Sequence, residues 1–186
     1  MEIKQQIITE NQAPQLIVIA GPTASGKTSL ALWLAEQLGG ELICTDSMQV
    51  YRRMDVGTAK PSAEDRLRVP HHQLDLVDVD ESYSAGRYVR ETTQVIEEVC
   101  SRFRIPIFVG GTGLYFRSLI YGLSDIPEVP EEQRAQVQRL QQDEGTVSCW
   151  NRLEQLDPAG AKNLHPHDTA RVLRALEVVM SSGSPL

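Results

Sequence analysis

The sequence predicts an α/β fold, a parallel sheet flanked by helices with a small helical insertion late in the chain. Three observations carry this. Short apolar runs alternate with helix-period segments between residues 15 and 121. The pattern GPTASGKT at 21–28 directly follows the first apolar run, LIVIA. From 124 to 166 the character changes, and charge and glutamine replace apolar runs. Strands alternating with helices imply parallel pairing through crossover connections. A loop that fits G-x-x-x-x-G-K-[ST], set between strand and helix, makes the sheet P-loop NTPase-like.

The elements follow in order. Residues 15–20 read as a buried strand. A helix from about 27 to 38 places Leu30, Ala31, Leu34, Ala35 and Leu38 on one face, and Gly39 and Gly40 end it. ELICTD at 41–46 is a second strand ending in an acid, and RVPHHQLDLVD holds a short third strand. Ser84 can cap a helix running to about 103, with Val89, Thr92, Ile96, Val99 and Phe103 inward. IPIFVGG at 105–111 is apolar enough to be buried on both sides. A helix follows Thr112 to about Tyr121. Pro127 and Pro130 open the insertion, where helical spacing returns weakly at Val147, Trp150, Leu153 and Leu156. Asp168 can cap a last helix whose core stripe is Val172, Leu173, Leu176, Val179 and Met180. The division expected is a core of 14–123 with 167–182, an insertion of 124–166, and a flexible 1–13.

Composition narrows the function. The chain has 186 residues, ordinary hydrophobic and charged content, and a net charge of −7. That charge argues against non-specific nucleic-acid binding, which depends on neutralising phosphates. It leaves local patches open, and 51–70 is locally positive. No apolar run approaches the length of a membrane span, and the polar N-terminus holds no signal core. Three widely spaced cysteines fit a reducing cytosol better than a disulfide framework or a zinc site.

The phosphate loop is the most specific short signal. Gly21 and Gly26 permit dihedrals that turn successive N–H groups inward, and Pro22, Thr23, Ala24 and Ser25 complete the cradle. Lys27 brings a cation to the outer phosphates, and Thr28 offers a hydroxyl to Mg²⁺. Asp46 ends a strand. By position alone it is equally a turn cap, a magnesium ligand or a general base. GGTGLYF at 110–116 lacks dinucleotide-loop spacing. It is either a tight turn or the setting for Thr112 as a donor to a phosphate or leaving oxygen. Thr28, Asp46 and 110–113 all follow strand ends, so they are expected in one crevice. His71, His72, His165 and His167 have no metal-site spacing and read as loop histidines beside prolines. Arg171 and Arg174 share a helix edge and face either solvent or RNA phosphates.

GPTASGKT, DSMQVYRRMDVGTAKP, PHHQLDLVD, YSAGRYV, VGGTGLYFRSLIYGL and DTARVLRALEV, in this order, resemble the tRNA dimethylallyltransferases over about residues 14–182. The resemblance implies that no phosphate is transferred. Dimethylallyl diphosphate would lie on the loop with Mg²⁺. Its allylic carbon would pass to the N6 amine of the adenosine 3′ of the anticodon, releasing pyrophosphate. It further implies that Asp46 is the general base and that Thr112 sits at the reactive centre with Thr28. Asp46, Ser47, Met48, Gln49 and Thr112 would contact the target nucleotide. Arg134 and the run Ala170, Arg171, Val172, Leu173, Arg174 would make further tRNA contacts, and 124–166 would meet the anticodon stem-loop. Members of that family continue well beyond residue 186, so further helices, tRNA contacts and basic diphosphate-binding residues are expected outside this sequence. The expected protein is a cytoplasmic monomer.

Three rivals stand beside this reading. An adenylate isopentenyltransferase needs no anticodon-binding insertion. A small-molecule P-loop kinase needs an arginine-bearing lid, whereas 131–142 offers only Arg134 and Arg139 among acids and glutamines. A non-catalytic RNA-binding remnant is the third.

Overall fold

The computed structural model describes residues 15–123 and 129–184, which divide into two compact units on either side of Ser124. The expected flexible 1–13 and Pro127 lie outside the described residues.

The first unit is the α/β core. Its strands are β1 (Ile17–Ala20), β2 (Gly40–Thr45), β3 (His71–His72) and β4 (Ile105–Gly110), all parallel, in the order β1-β4-β2-β3. Its helices are α1 (Lys27–Leu38), α2 (Ala63–Arg68), α3 (Ala85–Ser101) and α4 (Gly113–Tyr121). Every residue of β2 and β4 is buried, so both faces of these central strands are covered. The expectation of a buried first strand is corrected. β1 pairs only with β4 among the described residues; Ile17 and Ile19 are half-buried on the core, and Val18 is 44% exposed. Alternation along an edge strand produces that result.

α1 packs on β1, β2 and β4. Its buried residues are Ala31, Leu32 and Ala35, with Leu34 and Leu38 half-buried, while Leu30 turns outward. α3 is capped by Ser84 as expected, its side chain accepting the Arg87 N–H. Its inner face is led by Tyr88, Thr92 and Val99, whereas Phe103 lies past the helix end, exposed at φ 55°.

The second unit is helical: α5 (Glu131–Glu144), α6 (Thr146–Leu156), α7 (Pro158–Lys162) and α8 (Thr169–Ser182). Residues 167–182, expected with the sheet, pack within this unit instead. Val172, Ala175, Leu176 and Val179 of α8 share one apolar cluster with Val137, Cys149 and Leu153. An amphipathic stripe states that a helix buries one face, not which neighbour covers it. Asp168 caps α8 by accepting the Arg171 N–H.

Candidate functional site

The site stands where the C-terminal ends of β1, β2 and β4 meet the start of α1. Gly21 N–H donates to Gly110 O at 3.2 Å, which joins the phosphate loop to the end of β4. The left-handed residues of the loop are Ala24 (φ 64°) and Gly26 (φ 79°), the latter at the N-cap of α1. Gly21 serves differently, since a Cβ there would lie 3.1 Å from Ser25 Oγ. No side chain caps α1 at Gly26, so its first N–H groups and its partial positive charge stay available to an anion. Lys27 Nζ donates to Pro22 O at 2.9 Å across the loop.

The loop from Thr23 onward borders a cavity of about 240 Å³, and Gly21 and Pro22, expected in the same cradle, are not among its lining residues. Thr23 to Ser29 line it together with Asp46, Gln49 and Gly110. The crevice expected from strand ends thus contains Thr28, Asp46 and Gly110, whereas Gly111, Thr112 and Gly113, expected there too, are not among its lining residues. The sequence pointed to neither Thr58, Ala59, Pro61 nor His71, which line the same cavity. Burial pushes the His71 imidazole below its ordinary value, and its Nδ1 donates to Val69 O at 2.7 Å. His71 is a strand residue paired with Leu42, not the plain loop histidine expected. Cys44 also borders the cavity, but burial pushes its thiol up to about 12, so it stays protonated near neutrality.

Asp46 is aimed by what holds the end of β2. The Tyr88 hydroxyl reaches Cys44 O at 3.0 Å and Thr45 Oγ1 at 3.1 Å, and the Tyr88 ring stacks on Tyr115 with centroids 4.0 Å apart. Thr112 N–H donates to Thr45 O at 3.1 Å, and Ser47 N–H donates to Thr112 Oγ1 at 2.9 Å. Thr112 therefore ties the ends of β2 and β4 together beside Asp46. Asp46 Oδ1 accepts the Met48 N–H at 2.9 Å, and Oδ2 carries no protein hydrogen bond among the described residues. Ser47 and Met48 follow Asp46 outside the cavity lining, with Met48 largely exposed.

The remaining expected site residues belong to the helical unit. Arg134 pairs loosely with Glu131 at 3.8 Å. Ala170, Arg171 and Arg174 line a groove with Gly160, Asn163 and Val178. Arg171 pairs with Asp168, and Arg174 with Glu177 at 3.3 Å. Val172 is wholly buried and Leu173 packs on the same cluster, so neither presents its side chain to that groove.

The family model described as IPP transferase matches residues 49–186, and one described as isopentenyl transferase matches 14–80. The chain belongs to the IPP transferase family. The tRNA dimethylallyltransferase of Geobacter sulfurreducens is 51% identical over 172 residues, covering 92% of this chain and 55% of the relative. That of Myxococcus xanthus is 48% identical over 174 residues, covering 94% of this chain and 56% of the relative. The solved full-length tRNA isopentenylpyrophosphate transferase of Bacillus halodurans matches with a TM-score of 0.59 at 42% identity, over 93% of this chain and 57% of that one. A eukaryotic dimethylallyltransferase solved acting on tRNA matches with a TM-score of 0.78 at 34% identity, over 92% of this chain and 43% of that one. The chain thus spans about half the length of the curated relatives it matches. These relatives do not favour the free-nucleotide or kinase readings.

Proposed function

We propose that this chain carries the phosphate-loop part of a tRNA dimethylallyltransferase, moving a dimethylallyl group from its diphosphate to the N6 amine of the adenosine 3′ of a tRNA anticodon. The single observation that carries this is the joint placement of the phosphate loop and Asp46 on one cavity. A phosphate cradle and an uncommitted carboxylate on one cavity suit departure of diphosphate and removal of a proton at one place.

The chemistry follows from the charges. An allylic carbon becomes cation-like as its C–O bond stretches, and negative charge gathers on the departing diphosphate. Lys27, the loop N–H groups and the start of α1 stabilise that charge in place. Adenine N6 is a poor nucleophile because its lone pair is shared with the ring. Asp46 Oδ2 takes the proton as the C–N bond forms. Thr112 and Ser47 hold the Asp46 turn at the reactive centre. A stacked adenosine has to leave its stack to reach this depth.

The donors fit Mg²⁺. Thr28 lines the cavity with the loop and offers one hydroxyl oxygen, and Mg²⁺ is ordinarily held by few protein oxygens together with substrate phosphates and water. When bound, Mg²⁺ supplies neutralisation of the diphosphate charge. Arg171, Arg174 and Arg134 are the proposed phosphate contacts of the helical unit.

The test is to incubate the protein with Mg²⁺, dimethylallyl diphosphate and tRNA, digest the tRNA, and identify modified adenosine by mass. Product that disappears on Asp46→Ala, with tRNA binding kept, supports the base role. Product formed equally well by Asp46→Ala contradicts it.

A further inference from the structure

Lys60 lies in a stretch of charge and turns, yet its side chain is only 3% exposed. Its ammonium donates to Asp75 Oδ1 at 2.7 Å, to Asp55 Oδ1 at 3.0 Å and to Tyr51 O. Asp75 Oδ2 takes Arg66 Nη1 at 2.7 Å. A lysine buried to this degree is tolerated only when its charge and all its N–H groups are matched.

The cluster joins the segment between β2 and α2, through Lys60, to α2, through Arg66, and to the segment after β3, through Asp75. Asp75 N–H donates to Gln49 O at 3.2 Å, Leu76 N–H to Val50 O at 2.7 Å, and Arg52 N–H to Val77 O at 2.7 Å. Gln49 Nε2 reaches across the loop to Thr58 O at 3.0 Å and Ala59 O at 3.1 Å. Asp75 therefore binds Lys60 with its carboxylate and the Gln49 backbone with its amide. Gln49, Thr58, Ala59 and Pro61 form part of the wall of the cavity that the phosphate loop also lines.

The backbone here needs such a fastening. Arg53 (φ 62°), Ala59 (φ 51°), Gln73 (φ 61°) and Asp75 (φ 52°) are all left-handed without being glycine. Such residues persist only where surrounding contacts over-determine them. The charged cluster joins two of these positions, since Ala59 precedes Lys60 and Asp75 is itself a member.

We propose that Lys60, Asp75 and Arg66 form a positioning cluster that sets the part of the cavity wall made by Gln49, Thr58, Ala59 and Pro61, and that this wall holds the organic end of the ligand while the loop holds its diphosphate. The proposal rests on the transferase reading above, which assigns the diphosphate to the loop. Lys60 acts through Gln49, Thr58 and Ala59, and touches no reacting atom.

The two ends of the ligand can be read separately. Calorimetry with Mg²⁺ compares inorganic pyrophosphate with dimethylallyl thiolodiphosphate on the wild-type, Lys60→Gln and Arg66→Gln chains. Lys60→Gln is expected to weaken the prenyl ligand by about ten-fold while pyrophosphate stays within about two-fold. Amide exchange over 47–60 is expected to quicken, with 40–45 and 105–110 unchanged. Arg66 is partly exposed, so Arg66→Gln keeps the fold should Lys60→Gln lose it. It is expected to shift the same ratio about three-fold. An unchanged ratio in Arg66→Gln and in any Lys60→Gln that folds overturns the proposal, and so does an equal loss for both ligands. A wild-type chain that binds neither ligand overturns the transferase reading itself, and the wall's role falls with it.

Discussion

Asp46 and Lys27 line one cavity, and each keeps a capacity the protein does not use up. Asp46 spends one carboxylate oxygen on its own turn, and Lys27 donates to a single loop carbonyl among the described residues. Lys27→Ala is therefore expected to leave the melting temperature within about 2 °C of wild type. The same change is expected to weaken Mg²⁺–pyrophosphate binding at least ten-fold, on the order of one charge-assisted contact. Scanning calorimetry and titration read the two effects. Glu41 shows the opposite economy. Burial raises its carboxyl pKa, but the hydrogen bonds from Arg102 and His72 outweigh this and hold it below the ordinary 4.5. A depressed folded pKa stabilises fully above the unfolded value and is lost as pH falls through the folded one. Glu41→Gln is accordingly expected to cost about 1–3 kcal/mol in urea unfolding at pH 7. The gap between wild type and variant is expected to narrow as pH falls below 4.5. At this scale the phosphate loop was legible because its chemistry is local. Lys60 was not: a lysine among turns reads as solvated, and its burial depends on Asp75, fifteen residues on.

At the scale of elements, the strand ends decide where the site is. The end of β4 passes against β2 so closely that a Cβ on Gly110 would meet Thr45 O at 2.0 Å. Both atoms belong to backbone held in the ladder, so neither can give way. Gly110→Ala is expected to destabilise by about 3–5 kcal/mol, or to prevent folding, as judged by urea unfolding. Leu32→Ala, in the core face of α1, is expected to cost about 2–4 kcal/mol by the same measurement. Most element positions were readable from the sequence, because apolar runs are bounded by glycine, proline and capping residues such as Ser84 and Asp168. Pairing was not. That β1 is an edge among the described residues, and that α8 packs with α5 and α6, are settled by partners remote in the chain. The face of α1 differed by one position, Leu32 for Leu30, because both leucines fit a helical stripe.

For the whole molecule, a net charge of −7 means that the proposed RNA partner would have to be met by local patches. Arg171 and Arg174 edge a groove of the helical unit and are exposed, so replacing both by glutamate leaves the apolar cluster untouched. Such a variant is expected to bind tRNA about ten-fold more weakly, with a shallower salt dependence. Unchanged affinity and slope, measured by filter binding across salt concentrations, would assign these arginines to solvent. Among the described residues no helix is long and apolar enough to cross a membrane. Family membership was legible in the motif blocks, because most of them come from strand ends and turns where few residue types serve.

On the proposed function, the phosphate loop holds a prenyl diphosphate and not a nucleotide. Calorimetric titration of the chain, with Mg²⁺, against dimethylallyl thiolodiphosphate and separately against ATP tests it most directly. The structure and its relatives lead us to expect the prenyl diphosphate to bind at least ten-fold more tightly. Equal or tighter binding of ATP would contradict the account.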